Sequence, residues 1–307
     1  MSHDALSAGQ FQEIVQTLTG RAPGQEKFHL HGRLLRLPSR GEVHELVETL
    51  RALLFPGYYG SQPASRLTLL YHSGSLLEEF AGQLQTLIEL CLAFQQHEPP
   101  EDNDVGERAG AVVAGVIRLL PQIQRQLYED VQAAVDGDPA CTGADEVICS
   151  YPGLLALTHH RLAHALHGLA VPLLPRMISE LAHAGTGIDI HPGARVESAL
   201  FIDHGTGVVI GETCVIGRRV KLYQGVTLGA RSFPLDERGR PIKGIPRHPI
   251  VEDDVVIYSG ATILGRITLG QGAVVGGNVW LTRSVPAGGR VFLKPAFEDS
   301  FQAGGGI

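Results

Sequence analysis

Between residues 190 and 285 apolar side chains recur every six positions. One column runs Ile190, Val196, Ile202, Val208, Cys214, Val220 and Val226. A second, two residues later, runs Ile210, Ile216, Leu222 and Leu228, with Gly211, Gly217 and Gly229 close behind. After an interruption the pattern resumes as Val251, Ile257, Ile263, Leu269, Val275 and Leu281, accompanied by Val255, Ala261, Ile267, Ala273, Val279 and Val285. An α-helix repeats every 3.6 residues and a hairpin sheet alternates by two, so neither sustains this period. Six residues per repeat predict a parallel β-helix, with about three repeats per coil and coils stacked at roughly 4.8 Å. Such a coil is a scaffold, and its chemistry has to be argued from particular residues.

The rest of the chain is built differently. Of 307 residues, the first 185 carry 12 basic and 21 acidic side chains and 17 glycines, whereas the last 122 carry 13, 11 and 21. Glycine therefore shifts to the part that must turn often. Apolar residues three and four apart over 78–97 and 105–135 predict helices, the second interrupted by Pro121. The helical pattern continues over 151–184, where Pro172 and Pro175 are expected to split it in two. Residues 1–75 give no clear order of elements, and the acidic run 98–107 reads as a solvated loop. The expected division is a helical domain over 1–185, a β-helix over 186–290 and a flexible tail over 291–307. No stretch approaches the roughly 20 apolar residues of a membrane helix, and the start MSHDALSAGQ lacks a secretory pattern, so a cytoplasmic chain is expected. Four cysteines without CxxC spacing read as free thiols, and a net charge of -7 argues against nucleic-acid binding.

The interruption GARSFPLDERGRPIKGIPRHP (229–249) cannot stack with the coil and should protrude. In it Arg231, Arg238, Arg240, Lys243 and Arg247 outnumber Asp236 and Glu237, which suits an anionic ligand or a substrate carboxylate.

The runs GIDIHPGA (187–194), FIDHGTGVVIGET (201–213), YQGVTLGA (223–230), RHP (247–249) and VVIYSGATILG (255–265) resemble, in order and spacing, the repeat domain of the serine O-acetyltransferases. Upstream, DPA (138–140), SYPG (150–153) and HRLAH (160–164) resemble the end of that family's helical domain. The likeness spans about residues 136–285. It implies a left-handed coil after an all-helical domain, acetyl-CoA as co-substrate, L-serine as acceptor, and assembly as a trimer or as paired trimers.

The resemblance also implies roles. An alcohol attacks a thioester only when a base takes its proton. His204 matches that base and Asp189 the carboxylate that orients it; 15 residues separate them, against about 18 per coil. Arg247 matches the fork for the serine carboxylate, with His248 beside it. Asp203 and Asp138 match the groups that hold the ammonium, although an aspartate before proline also simply opens a turn. Glu212 either supports the base or caps a polar corner. Ala230, Ser259 and Gly277 match small positions along which the pantetheine arm of the coenzyme lies. The tail FEDSFQAGGGI, ending in Ile307, resembles those by which the family enters the active site of O-acetylserine sulfhydrylase.

Other readings stay open on the sequence. A coil acetyltransferase acting on a sugar or another hydroxyl acceptor such as homoserine keeps the same fold, and an uncharged sugar would not need Arg247 with Asp138 and Asp203. A metal-dependent hydratase would need several histidines on one ion, and His191, His204 and His248 lack a closely spaced pair. A non-catalytic scaffold for a partner enzyme needs no base at all. His160 and His164 have the i, i+4 spacing of zinc ligands, but without a third ligand they, with His159 and His167, read as packing residues and no metal is expected.

Overall fold

The computed structural model describes residues 7–19, 29–30, 33–34, 36–60, 65–95 and 102–293. The first part contains α1 (Ala8–Thr19), the short antiparallel pair β1 (His29–Leu30) and β2 (Arg33–Leu34), α2 (Arg40–Leu54), α3 (Arg66–Gln95), α4 (Asp102–Gly137), α5 (Ala144–Ser150), α6 (Pro152–Gly168) and α7 (Leu174–Thr186). Ser39 and Glu42 close a reciprocal capping box at the start of α2. Leu46 and Leu50 of α2, Phe80 and Leu84 of α3, Leu127 of α4, and Leu162 and Leu166 of α6 share one buried core. α4 runs unbroken through Pro121, which lies on the exposed side where water can satisfy the carbonyl its ring leaves unpaired. The same helix begins at Asp102, so the second half of the acidic run is helical rather than a loop. Pro172 falls in the break between α6 and α7, while Pro175 sits in the first turn of α7, where a missing N–H costs nothing. The four cysteines are free thiols. Among the described residues no helix is long and apolar enough to cross a membrane.

From Asp189 the chain winds into three parallel sheets, a left-handed β-helix. The first face stacks β3 (Asp189–Ile190), β6 (Val209–Ile210), β9 (Thr227–Gly229), β12 (Thr262–Leu264) and β15 (Trp280–Leu281). The second stacks β4 (Arg195–Val196), β7 (Val215–Ile216), β10 (Ile250–Val251) and β13 (Thr268–Leu269). The third stacks β5 (Phe201–Ile202), β8 (Lys221–Leu222), β11 (Val256–Ile257), β14 (Val274–Val275) and β16 (Arg290–Val291). Each strand points one apolar residue inward, and a second apolar residue fills the preceding corner, so Ile210, Leu222, Val208 and Val220 are all essentially buried.

The six-residue column read from Ile190 to Val226 is not one structural column. Ile190 pairs with Ile210, twenty residues on, whereas Ile210 pairs with Leu228, eighteen on. The first coil holds two extra residues, taken up in the corner between β5 and β6. Beyond it the old phase moves from the strand to the corner. The basic interruption leaves the stack intact: Val215 and Ile250 pair directly across it. Its tip folds back on itself, with Asp236 bonded to the backbone and guanidinium of Arg240.

The two architectures meet along α4, α6 and the first coil. Arg161 of α6 donates to Asp130 of α4 at 2.6 and 3.0 Å, and reaches the carbonyls of Val196 and Glu197. Asp130 in turn accepts from the backbone N–H of Leu200 at 3.0 Å. The side chains are 4% and 1% exposed. Burial pushes the Asp130 carboxyl up to about 6, against the charge and hydrogen bonds of Arg161, which pull it down. Removing one member of such a pair strands the other charge. Asp130→Ala should therefore lower unfolding stability by about 3–5 kcal/mol, checked by urea melts; a loss below about 1 kcal/mol would show that the junction relaxes around a lone Arg161.

Candidate active site

The corner with the two extra residues carries Asp203-His204-Gly205-Thr206-Gly207. His204 (φ 59°), Gly205 (φ 83°) and Gly207 (φ 79°) all lie in the left-handed region. Two of the three are glycines, which take it without strain; the third is a histidine, in the left-handed corner conformation that Ala199, Arg219, Asp254 and Asn278 also adopt. The turn throws the imidazole outward, 78% exposed, with Nδ1 2.7 Å from Asp203 Oδ1. That contact fixes the ring and leaves Nε2 on the opposite side to take a proton.

In this structure the carboxylate bonded to the ring is that of Asp203. Asp189 lies on β3 beneath Val209, with Arg176 of α7 4.0 Å away.

Asp138, just after α4, comes to the same corner. Its Oδ2 accepts from the Tyr151 hydroxyl at 2.6 Å and its Oδ1 from the Ala140 N–H at 2.8 Å. Those bonds, Tyr151's first, hold it below the usual carboxylate range, helped by the charges of Lys221 and His204 nearby. Lys221 donates to the Gly137 carbonyl and packs over the rings of Phe201 and Tyr223 at 4.8 and 5.0 Å.

A second cluster occupies the next corner, between the first and second faces. Arg247 meets Glu212 at 2.6 Å. Burial alone would raise the Glu212 carboxyl, but the Arg247 bond and charge hold it below its usual range. Thr213 pins the loop's return, its Oγ1 accepting from the N–H of Arg247 (2.9 Å) and His248 (3.1 Å). Thr213 N–H also donates to His248 Nδ1 at 3.1 Å, which leaves the proton of the neutral ring on Nε2. Burial, then the Arg247 charge, drives His248 down to about 4. His191, just after β3, is also lowered by burial.

The sites expected for the coenzyme divide the same way. Ser259 and Gly277 stack on the His204 corner, and a Cβ at Gly277 would stand 3.2 Å from the Ser259 carbonyl. Ala230 follows β9 on the Arg247 corner. One chain therefore carries two half-sites separated by the face of β6. Of the helical histidines, His159 pairs through Nδ1 with the Leu155 carbonyl, and His164 with that of Pro192 across the domain junction. Glu180, His183 and Asp189 bring ligand-type atoms within 4.8 Å of one another. Arg176, 2.5 Å from Glu180, already offers that trio a cation. Tyr151, Lys221 and Thr213 went unassigned in the sequence reading; only Tyr151 and Thr213 lie in or beside motifs that could have flagged them.

An imidazole held near 4 when folded and near 6.5 when exposed binds its proton more readily in the unfolded chain. The stability His248 contributes is whole above 6.5 and is lost as pH falls from there to about 4. Asp130, with its raised carboxyl, acts in the opposite sense, so the informative quantity is a difference. Urea melts between pH 7.5 and 4.5 should show a shallower acid loss in His248→Asn than in the wild type; parallel slopes would mean that His248 takes up its proton as readily in the folded chain as in the unfolded one.

Residues 250–283 match the family described as the hexapeptide repeat of succinyl-transferase. A protein named serine acetyltransferase, plasmid, from Synechococcus elongatus is 50% identical over 299 residues, 96% of this chain and 94% of its own. The serine acetyltransferase of Bacillus subtilis is 48% identical over 147 residues, 48% of this chain and 64% of its own. Among solved structures, serine acetyltransferase 1 of Entamoeba histolytica in complex with L-cysteine superposes with a TM-score of 0.71 at 32% identity, covering 92% of this chain and 96% of that one. The Neisseria gonorrhoeae serine acetyltransferase in complex with serine gives 0.53 at 27% identity, covering 82% and 97%.

Proposed function

Because this chain belongs to the serine acetyltransferase family, we propose that it moves the acetyl group of acetyl-CoA to the hydroxyl of L-serine with His204 as general base. The observation that carries this is the imidazole on the 203–207 corner, tied through Nδ1 to Asp203. Nε2 accepts the serine hydroxyl proton as the oxygen bonds to the thioester carbonyl carbon, and the resulting imidazolium is stabilised by the carboxylate. Collapse of the tetrahedral adduct breaks the carbon–sulfur bond, and the departing thiolate takes the proton back. Asp138 receives the substrate ammonium. Arg247, with His248 Nε2 beside it, receives the carboxylate, Glu212 holding the guanidinium in place. The pantetheine arm lies along Ser259, Gly277 and Ala230.

These groups sit on two corners, so we place them together across an interface, the His204 corner of one copy facing the Arg247 corner of the next in a trimer. A cation on one wall and a carboxylate on the other fit a zwitterion better than a sugar. We place the reaction in the cytoplasm. The tail containing Ile307 lies outside the described residues; its resemblance to the tails by which the family docks on a sulfhydrylase supports the same partner here, and deletion of Ile307 should abolish that association in a binding titration without changing acetyl transfer.

His204→Ala should lower kcat by about 100- to 10,000-fold in a folded protein, and Asp203→Asn should cost more than Asp189→Asn. Near-normal turnover of His204→Ala would defeat the assignment. Mixing inactive His204→Ala with inactive Arg247→Ala and refolding them together should restore activity, since some interfaces then carry two intact walls. Recovery of none would place the whole site within one chain.

A further inference from the structure

The segment Ser150-Tyr151-Pro152-Gly153 has no part in the mechanism above, yet it touches both sides of the His204 corner. Tyr151 is the residue before α6; its N–H donates to the Val147 carbonyl and its own carbonyl accepts from Leu155 N–H, so its backbone is fixed between two helices. Pro152 opens α6 at a position where no N–H is needed. Gly153 packs against the backbone of Ile202, the residue before Asp203: a Cβ there would stand 2.5 Å from the Ile202 carbonyl, a contact only glycine avoids. Three successive residues thus dock the start of α6 onto the strand that leads into the 203–207 turn, and the first of them reaches Asp138.

We propose that Tyr151 is a positioning residue for the substrate ammonium, its hydroxyl fixing the Asp138 carboxylate in the orientation in which it receives that group beside His204. The inference rests on the reading of Asp138 given above. The carboxylate has one donor on each oxygen, Tyr151 on Oδ2 and the Ala140 N–H on Oδ1, which leaves a lone pair on each for an incoming cation. Lys221, the nearby cation that could fill that place, is instead spent on the Gly137 carbonyl and two aromatic faces. Without the hydroxyl the carboxylate is free to rotate about its χ angles towards Lys221, and serine then has to compete for it.

The test compares Tyr151→Phe and Asp138→Asn with the wild type, using L-serine as substrate and 3-hydroxypropanoate, which is serine without its amino group, as a competitive ligand. Loss of one hydrogen bond to a charged group predicts a rise of about tenfold in KM for serine in Tyr151→Phe. Its kcat should stay within about twofold of wild type, and the inhibition constant of 3-hydroxypropanoate and the thermal midpoint should be unchanged. Asp138→Asn should raise KM for serine at least as far. An unchanged serine KM in Tyr151→Phe beside a raised one in Asp138→Asn would overturn the positioning role and leave the reading of Asp138 standing. An unchanged KM in Asp138→Asn would overturn both. Equal weakening of serine and 3-hydroxypropanoate would show that Tyr151 merely supports the fold of the corner.

Discussion

The buried pair Arg161–Asp130 is the interaction on which the placement of everything else depends. It joins two helices to each other and both to the first coil, because its remaining hydrogen-bonding capacity goes to the backbone of Val196, Glu197 and Leu200. Replacing such a pair with apolar residues can be neutral for stability, so its value lies in specifying one register of docking. A helical layer on a coil could otherwise slide by a strand spacing and still bury similar area. With the register fixed, the end of α4 delivers Asp138 and the start of α6 delivers Tyr151 and Gly153 to the same corner.

The second constraint is a mismatch of length. A coil of eighteen residues has no room for an outward turn, since each corner must return directly to the next strand. The first coil has twenty, and the surplus becomes the 203–207 turn, in which three of five residues adopt positive φ. The turn is held from both sides: Gly207 N–H donates to the Gly187 carbonyl below and Gly225 N–H to the Thr206 carbonyl above. A strained and exposed histidine persists because the stacked backbone around it is over-determined.

This explains what could be read from the sequence. The β-helix, the protruding loop and the inward positions after the loop follow from a period that only one architecture sustains, and the helices from 78 onward follow from their apolar spacing. Asp203, His204, Glu212, Arg247 and His248 stand in motifs, and the structure sorts them into two clusters. The slip of two residues was invisible because Val208 keeps the six-residue count from Ile202: a corner residue and a strand residue are both apolar, so the count runs on while the phase changes. The role of Tyr151 could not be read either, since hydrogen bonding across thirteen residues to Asp138 depends on how α5 turns the chain between them.

His204, Arg247, His248, Asp138 and Tyr151 all lie where the six-residue period fails or before it begins. Within it, each position has a structural duty: one residue inward, one in the corner, small residues where backbones stack. His204 sits on the surplus of the first coil, and Arg247 and His248 end the long interruption. Asp138 and Tyr151 precede the coil altogether. A regular solenoid gives rigidity along its axis but offers only flat faces, and a reacting centre needs groups converging from different directions. Departures from the repeat supply those directions while the stacked strands hold their bases still. Because each departure leaves the coil at a corner, two corners of one copy point away from each other. That divergence is the ground on which the shared site is proposed above.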